Sequence, residues 1–327
     1  MKQLSSLELQ KQINAYIEAL SYMRDPRKLY DPIDYVLTLG GKRLRPVLML
    51  MAYNMYREDV NRIFSQAAAI EVYHNFTLLH DDLMDHATVR RGKSTVHVKW
   101  NENTAILSGD TMLILSYYYM QQNCSSNLME TVMFEFGRAA LEVCEGQQLD
   151  MEFETMSEVS EDEYLKMIRL KTSVLLACAL KIGALLGGAS GQDAQMLYDF
   201  GIKIGLAFQL QDDYLDVYGD TALFGKNIGG DILCNKKTFM LITALKNADE
   251  KTRLHLQKWL LDQQCQPSDK IKAVTEIYNE LSVPDICKAK IQSYYKEGME
   301  LLDRLSVAPE KKTILSSYIV GLMQRNL

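Results

Sequence analysis

Apolar residues recur every three or four positions between residues 60 and 81, which is the spacing of one face of a helix. The residues that share this face are Val60, Ile63, Phe64, Ala67, Ile70, Tyr73, His74, Thr77, Leu78 and Asp81. The pattern predicts a single long helix whose inward face ends in a carboxylate.

A second stretch has the same spacing from residue 198 to residue 220, and Gly219 near its end is a typical helix stop. This helix also carries carboxylates near its end. Further helices are predicted over residues 105–122, 128–151, 161–186, 237–248, 252–263, 270–281, 284–305 and 311–325. No stretch alternates apolar and polar residues as a half-buried strand does.

Prolines and glycines support an all-α fold. No proline occurs between Pro46 and Pro267, as long helices require. Glycines at 40–41, 187–188, 225 and 229–230 mark breaks between helices. Because we find no linker, low-complexity tract or short repeat, we expect one all-α domain over residues 1–327.

Composition limits the class of protein. The chain has 327 residues, of which 47% are hydrophobic and 24% are charged, so it can bury a sizeable core in water. A net charge of −6 argues against a nucleic-acid partner. Six cysteines without a C-x-x-C pair favour the reducing cytoplasm. We expect no membrane span, because Lys181 interrupts the most apolar stretch, residues 174–189.

Two acidic clusters follow the inward faces of the long helices. Asp81 and Asp85 lie one helical turn apart, with Asp82 beside them, and Asp212 and Asp216 repeat this spacing. Carboxylate pairs on rigid helices suit Mg²⁺, which keeps several waters and shares its protein ligands with substrate phosphates. The clusters therefore predict magnesium sites.

Basic, glycine-rich loops accompany both acidic clusters. The segments are GGKRLRP at 40–46, RRGK at 90–93, and GKNIGGDI at 225–232 followed by NKK at 235–237. Arginine binds phosphate oxygens in pairs, and glycine allows the backbone to approach them. Carboxylate-bound cations opposite basic loops would hold a diphosphate and stabilise its charge as it leaves.

Five segments together resemble the signature motifs of the trans-prenyltransferases, the polyprenyl diphosphate synthase family. They are GGKRLRP at 40–46, LLHDDLMDHATVRRG at 78–92, KT at 171–172, FQLQDDYLD at 208–216 and GKNIGGDI at 225–232. The resemblance implies an all-helical bundle with a central cavity. It also implies a homodimer that joins isopentenyl diphosphate head to tail to an allylic diphosphate.

The resemblance also implies roles for individual residues. Three Mg²⁺ ions would be bound by Asp81, Asp85 and Asp212, with support from Asp82 and Asp216. Isopentenyl diphosphate would be bound by Gly41, Lys42, Arg45, His74 and Arg91. The allylic diphosphate would be bound by Arg90, Lys171, Lys226 and Lys236.

The expected chemistry needs no side-chain nucleophile. Loss of diphosphate leaves an allylic carbocation, which the double bond of the second substrate attacks before a proton leaves. The Lys171 carbonyl, the Thr172 hydroxyl and the Gln209 amide oxygen can turn negative dipole ends toward that cation.

In this family, bulk on the helix before the first aspartate motif forms the floor of the product tunnel. The corresponding residues are Phe76 and Thr77, five and four residues before Asp81, and Tyr73, eight before it. An aromatic floor and a motif without the two-residue insertion of bacterial farnesyl diphosphate synthases resemble geranylgeranyl diphosphate synthases. We therefore expect geranylgeranyl diphosphate as the product, then farnesyl diphosphate, then longer polyprenyl diphosphates.

Two other functions fit the same sequence class. A terpene cyclase or head-to-head condensing enzyme of this fold would keep the first aspartate motif but not usually both copies together with GGKRLRP. A non-catalytic regulatory subunit of a prenyl synthase would usually lose a motif, and none is visibly lost here.

Overall fold

The computed structural model of the chain describes residues 3–219, 228–262 and 264–324. Among these, one antiparallel strand pair occurs, β1 Val89–Arg90 with β2 Lys93–Ser94. The helices of this part of the chain are α1 Ser6–Ala19, α2 Arg27–Thr38, α3 Leu44–Asn54, α4 Phe64–Met84, α5 Val96–Lys99, α6 Glu102–Gln121, α7 Ser126–Thr155, α8 Glu161–Ile168, α9 Val174–Gly187, α10 Gly191–Tyr218, α11 Gly230–Leu233, α12 Phe239–Asn247, α13 Glu250–Leu261, α14 Pro267–Glu280, α15 Val283–Asp303 and α16 Pro309–Gln324.

The all-α prediction is confirmed, and two predicted helices differ instructively from their expected form. The helix predicted over 60–81 begins with a 3₁₀ turn, Val60–Ile63, and α4 then continues to Met84. The helix predicted over 161–186 is divided into α8 and α9 by a π-helical segment, Arg169–Ser173. The backbone hydrogen bonds therefore change locally from the α-helical to the 3₁₀ or π pattern, where apolar spacing alone predicts a uniform α-helix.

The sequence analysis missed α1, α2 and α3, and it missed the short hairpin. For α1, the signal was present as a capping box in which Ser5 and Glu8 bond each other's backbone amides. In α3, nine of the eleven residues are buried, so its pattern has no polar face to reveal a period.

The chain folds into two compact units, and we describe each by itself. The first unit comprises residues 1–138, 178–198 and 305–315, and the second comprises residues 139–177, 199–304 and 316–327. The prediction of a single domain over 1–327 stays a prediction.

Helix α4 is the core helix of the first unit, where it packs against α3 and along α6. Residues 67–70 of α4 are fully buried, as are Val72 and Tyr73. Near the acidic end of α4, the imidazole of His80 lies where a Cβ on Gly109 of α6 would be. The close approach at Gly109 therefore supports the turn that carries the first aspartate cluster.

The π-helical segment of the second unit is enclosed by two glycines. A Cβ on Gly146 of α7 would overlap the backbone amide nitrogen of Lys171, and a Cβ on Gly205 of α10 would lie 2.7 Å from the α-carbon of Ser173. π insertions inside helices are rare and occur frequently at functional sites. The two glycines thus allow α7 and α10 to pack against the backbone of the segment that carries Lys171 and Thr172.

Substituting Gly146 by alanine should therefore displace the π-helical segment. We expect Gly146→Ala to lower the free energy of unfolding by about 1–3 kcal/mol, as overpacking usually does. Gly321→Ala on α16 is the matched control, because no atom of the described residues lies within 4 Å of the added Cβ. It should raise the same free energy by about 0.5–1 kcal/mol. Urea unfolding of both variants measures this, and a loss of equal size in both would contradict the enclosure.

One helical stretch of the described residues, Glu161–Gly187, is long and apolar enough to cross a membrane by length and composition. Its most apolar window has a mean hydropathy of 1.6, yet 72% of that window is buried inside the protein. A core helix passes the same test, so this stretch is weak evidence for a span.

Candidate active site

The first aspartate cluster lies at the C-terminal end of α4. Asp85 is the C-cap, and its amide donates to the carbonyl oxygen of Asp81 at 2.9 Å. Asp82 is buried, and both of its carboxylate oxygens accept from Nε of Arg90 at 2.8 Å. Arg90 also comes within 3.9 Å of the Asp81 carboxylate. Arg90 thus neutralises Asp82, whereas the Asp81 side chain is half-buried and Asp85 is exposed.

The β1–β2 hairpin places the next arginine against the glycine loop. Arg91 and Gly92 form its turn with φ of 52° and 72°, as in the two-residue turns that join twisted strands. The guanidinium of Arg91 donates to the carbonyl oxygen of Gly40. A Cβ on Gly41 would lie 2.9 Å from that guanidinium. The absence of a side chain at Gly41 therefore brings Arg91 against the loop.

Arg45 and His74 form a second contact of the same region. Nη1 of Arg45 lies 3.0 Å from Nε2 of His74. Arginine can only donate, so His74 accepts at Nε2 and is neutral, with its hydrogen on Nδ1. Burial, followed by the positive charges of Arg45 and Arg91, holds the pKa of His74 well below its usual value.

Arg45 also has a buried donor without a partner. Its Nε makes no hydrogen bond to any of the described residues, and burial lowers the pKa of its guanidinium to about 10, so the group stays charged at neutral pH. Arg91 is exposed as a residue, but partial burial of its guanidinium also lowers its pKa. Buried cations with incomplete hydrogen bonding are the groups that a phosphate anion would stabilise.

The remaining cations of the glycine loop have different surroundings. Lys42 is exposed, and its carbonyl oxygen accepts from Gln10. Arg43 points inward, where it donates to Glu71 at 2.7 Å and to Asn14 at 3.0 Å. The segment GGKRLRP has three cations after its Gly-Gly turn. One of them, Arg43, is buried and bonded within the protein, so its role is structural.

The neutral state of His74 predicts a pH dependence of stability. Since the folded pKa is lowered, the unfolded chain binds a proton below about pH 6.5 that the folded chain does not. We expect His74 to cost about 1.4 kcal/mol of unfolding free energy at pH 5.5 relative to neutral pH. Denaturant unfolding at both pH values should show a smaller acid loss for His74→Gln; an identical loss would contradict a neutral buried His74.

The second aspartate cluster lies near the C-terminal end of α10, and like the first cluster it contains one buried aspartate beside more exposed ones. Asp212 is exposed, whereas Asp213 is buried. Tyr164 of α8 donates to one carboxylate oxygen of Asp213, and Nε2 of Gln209 donates to the other at 3.2 Å. Burial raises the pKa of Asp213 to about 7, although both hydrogen bonds oppose this rise.

The backbone after α10 returns to Asp216. Its carboxylate accepts from the amide of Asp231 at 2.9 Å, and its carbonyl oxygen accepts from the amide of Gly229 at 2.6 Å. Asp216 thus fixes the start of α11. Lys236 follows α11 and is exposed, whereas Lys226, the other predicted diphosphate ligand of this loop, lies outside the described residues.

The π-helical segment brings Thr172 to Gln209. The hydroxyl of Thr172 donates to Oε1 of Gln209 at 3.1 Å. Nζ of Lys171 lies 2.6 Å from the carboxylate of Asp150 on α7. The predicted cation-facing groups Thr172 and Gln209 are therefore in contact, and Lys171 makes an ion pair that the sequence analysis missed.

The predicted tunnel floor is an aromatic cluster below the first aspartate cluster. The ring of Phe76 lies 5.4 Å from that of Tyr73 and 4.9 Å from that of His80, centroid to centroid. Tyr73 contacts Phe136 of α7 at 5.5 Å. The hydroxyl of Thr77 donates to the carbonyl oxygen of His74 at 2.8 Å, so it is bonded to its own helix.

The carboxylates of the two aspartate clusters are suited to magnesium by their chemistry. The described residues hold no group of three or more Asp, Glu, His or Cys side chains placed to bind one ion. Mg²⁺ does not need such a cage, since it is commonly bound by one or two carboxylates together with waters and substrate phosphates. Asp81 with Asp85, and Asp212, fit this partial ligand set.

The chain matches the model of the polyprenyl synthetase family over residues 26–278. It is 38% identical over 313 residues to a geranylgeranyl diphosphate synthase of Methanosarcina mazei, covering 94% of each chain. It also matches a crystal structure of a geranylgeranyl pyrophosphate synthase at 41% identity, with a TM-score of 0.94 and coverage of 99% of this chain and 100% of that chain.

Two further relatives differ in product or in bound ligand. A geranylfarnesyl diphosphate synthase of Natronomonas pharaonis is 33% identical over 318 residues, covering 92% of this chain and 90% of its own. A polyprenyl synthase of Caulobacter crescentus, complexed with calcium and isoprenyl diphosphate, is 26% identical, with a TM-score of 0.84 and coverage of 99% of both chains.

Proposed function

The chain belongs to the polyprenyl synthetase family, and we propose that it condenses isopentenyl diphosphate with allylic diphosphates to give geranylgeranyl diphosphate. It is a trans-prenyltransferase. The observation that carries the substrate assignment is the cationic group formed by the half-buried Arg45 and His74 and the exposed Arg91 beside Gly41. Such a group is suited to a diphosphate and unsuited to a neutral isoprenoid.

We assign isopentenyl diphosphate to that group. Arg45 offers Nε, which has no partner in the described part of the chain, and Arg91 offers a guanidinium held by the turn. Gly41 has no side chain, so the Arg91 guanidinium can lie against its backbone. Neutral His74 orients Arg45 and adds no further positive charge.

We assign the allylic diphosphate to the two aspartate clusters and to Arg90, Lys171, Lys226 and Lys236. Mg²⁺, held by Asp81, Asp85 and Asp212 with Asp82 and Asp216 in support, would neutralise the diphosphate and so assist its departure. Three ions are expected from the resemblance. Arg90 neutralises the charge of Asp82 and comes within 3.9 Å of Asp81. We propose that the Arg90 side chain contacts both a metal ligand and the bound phosphate.

The carbocation that remains is stabilised by dipoles. The oxygen of Thr172 and the amide oxygen of Gln209 present negative ends, and the carbonyl of Lys171 lies in the same π-helical segment. The isopentenyl double bond then forms the new carbon–carbon bond, and the departing diphosphate accepts the proton. No side chain needs to change its covalent state.

Product length follows from the aromatic cluster below Asp81. Phe76 lies five residues before Asp81, about 7.5 Å along the helix axis, and the buried Tyr73 stands behind it. Two aromatic rings in succession favour the four-unit product, geranylgeranyl diphosphate. Farnesyl diphosphate is the second candidate and a longer polyprenyl diphosphate the third, because Thr77 leaves one side of the floor small.

A homodimer is proposed from an exposed apolar face of the first unit. Leu107, Ile114 and Tyr118 of α6 are 58%, 69% and 59% exposed and fall on one face, and Phe134 of α7 is 65% exposed. Large exposed apolar patches mark interaction sites.

A cytoplasmic location is proposed on the six cysteines, none of which forms a disulfide.

A product assay with the purified chain tests the proposal. With Mg²⁺, isopentenyl diphosphate and each allylic diphosphate in turn, we expect elongated prenyl diphosphates with geranylgeranyl diphosphate dominant. A terpene cyclase would instead convert the allylic diphosphate alone, and a regulatory subunit would elongate nothing without an added partner. Either result would contradict the proposal.

A further inference from the structure

A chain of hydrogen bonds in the second unit leads from the half-buried Thr172 to a buried acid. Thr172 donates to Oε1 of Gln209 at 3.1 Å, Nε2 of Gln209 donates to Oδ1 of Asp213 at 3.2 Å, and the hydroxyl of Tyr164 donates to Oδ2. Asp213 is 4% exposed and Tyr164 is 2% exposed, so water does not compete at this end. None of the motif assignments gives a role to Tyr164 or Asp213.

The direction of these bonds is fixed by the acid. Oδ1 of Asp213 accepts when the acid is ionised and also when its proton is on Oδ2, so the NH₂ group of Gln209 must point at Asp213. Its Oε1 then faces Thr172 and must accept, and the single hydroxyl hydrogen of Thr172 is committed to it. The Thr172 oxygen is left with lone pairs alone on its remaining sides. The reversed arrangement would set the Gln209 oxygen against a buried carboxylate, which is unfavourable.

Tyr164 completes the arrangement from the other side. Without its hydroxyl, Asp213 would keep one oxygen buried and unpaired, and its carboxylate could rotate away from Gln209. Tyr164 lies on α8 and reaches neither Thr172 nor Gln209 by a hydrogen bond in the described residues. Its influence on the site therefore passes through Asp213.

We propose that Tyr164 and Asp213 are positioning residues that set the polarity of Gln209 and Thr172, so that both present oxygen lone pairs to the allylic cation. This inference rests on the proposed function, because it takes the cation as the group that these oxygens face. If these oxygen lone pairs face the cation, the site should bind a positively charged ligand more tightly than an uncharged one. It should have little effect on diphosphate binding.

The test compares two ligands on the same protein with Mg²⁺ present. One is an ammonium analogue, an allylic diphosphate with a charged nitrogen at the carbon that becomes cationic, and the other is an uncharged, non-ionisable thiodiphosphate. Isothermal titration gives the ratio of their affinities. We expect Tyr164→Phe and Asp213→Asn each to lower the ratio about fivefold, the effect of about one hydrogen bond.

Tyr53→Phe is the matched control, because Tyr53 is also a buried tyrosine that donates to an aspartate, Asp59, at 2.8 Å. It belongs to the first unit and is placed in no site, so the ratio should be unchanged. If Tyr164→Phe weakens both ligands equally, or neither, its role is only structural and the inference is wrong. If the unaltered protein fails to elongate prenyl diphosphates, the proposed function itself is wrong, and the inference fails with it.

Discussion

Replacing Asp81 or Asp212 by alanine is expected to lower the turnover number by about 10³-fold or more while the protein remains folded. Both carboxylates are assigned to Mg²⁺, and charge stabilisation by a metal ion contributes several kcal/mol to the transition state. Asp212 is exposed, and Asp81 lies at the end of α4 with its side chain 20% exposed, so neither substitution should prevent folding. Steady-state kinetics and thermal unfolding of each variant test this directly.

Two control variants sharpen the test. Asp269→Ala removes an exposed aspartate in the first turn of α14 and should leave turnover unchanged. Asp82→Ala should instead destabilise the fold, because it would remove the carboxylate that Arg90 of the hairpin bonds at 2.8 Å. Turnover retained in Asp81→Ala or Asp212→Ala would contradict the assignment of the two clusters.

The second large effect concerns product length, for which Phe76→Ala should give longer prenyl chains. The ring of Phe76 covers Tyr73, and its removal should deepen the floor by about one helical turn, roughly the length of one isoprene unit. Tyr73 would then become the floor, so elongation should stop again soon after the normal product. Chromatography of the products from each allylic starter measures the shift.

Phe64→Ala separates this effect from general destabilisation. Phe64 lies at the other end of α4, against Tyr16, and its loss should weaken packing without changing the product. An unchanged product spectrum in Phe76→Ala would show that Phe76 is ordinary core packing.

Much of the fold could be predicted because apolar spacing along α4 and α10 is strong over five or more turns. The interruption between α8 and α9 could not be predicted, since a π insertion leaves the apolar pattern nearly intact. The π-helical segment packs closely against Gly146 and Gly205 on other helices, and sequence spacing gives no information about that close approach.

The candidate site, like the fold, could be predicted from the sequence only in part. The motifs identify Asp81, Asp212 and the cationic loops, but they treat neighbouring residues of one type as equivalent. Burial separates them: Arg43 is bonded to Glu71 inside the protein, whereas Arg45 keeps a donor without a partner. Asp213 differs from Asp212 for the same reason. Which member of a pair faces inward depends on packing that the motif does not specify.

The central claim is that both aspartate clusters bind the same allylic diphosphate through divalent cations. The most direct test is a crystal structure with Mn²⁺ and a non-ionisable allylic thiodiphosphate, in which anomalous scattering locates each metal ion. We expect ions bound by Asp81 and Asp85 and by Asp212, all contacting one diphosphate. Ions at only one cluster, or a diphosphate that contacts neither, would contradict the account.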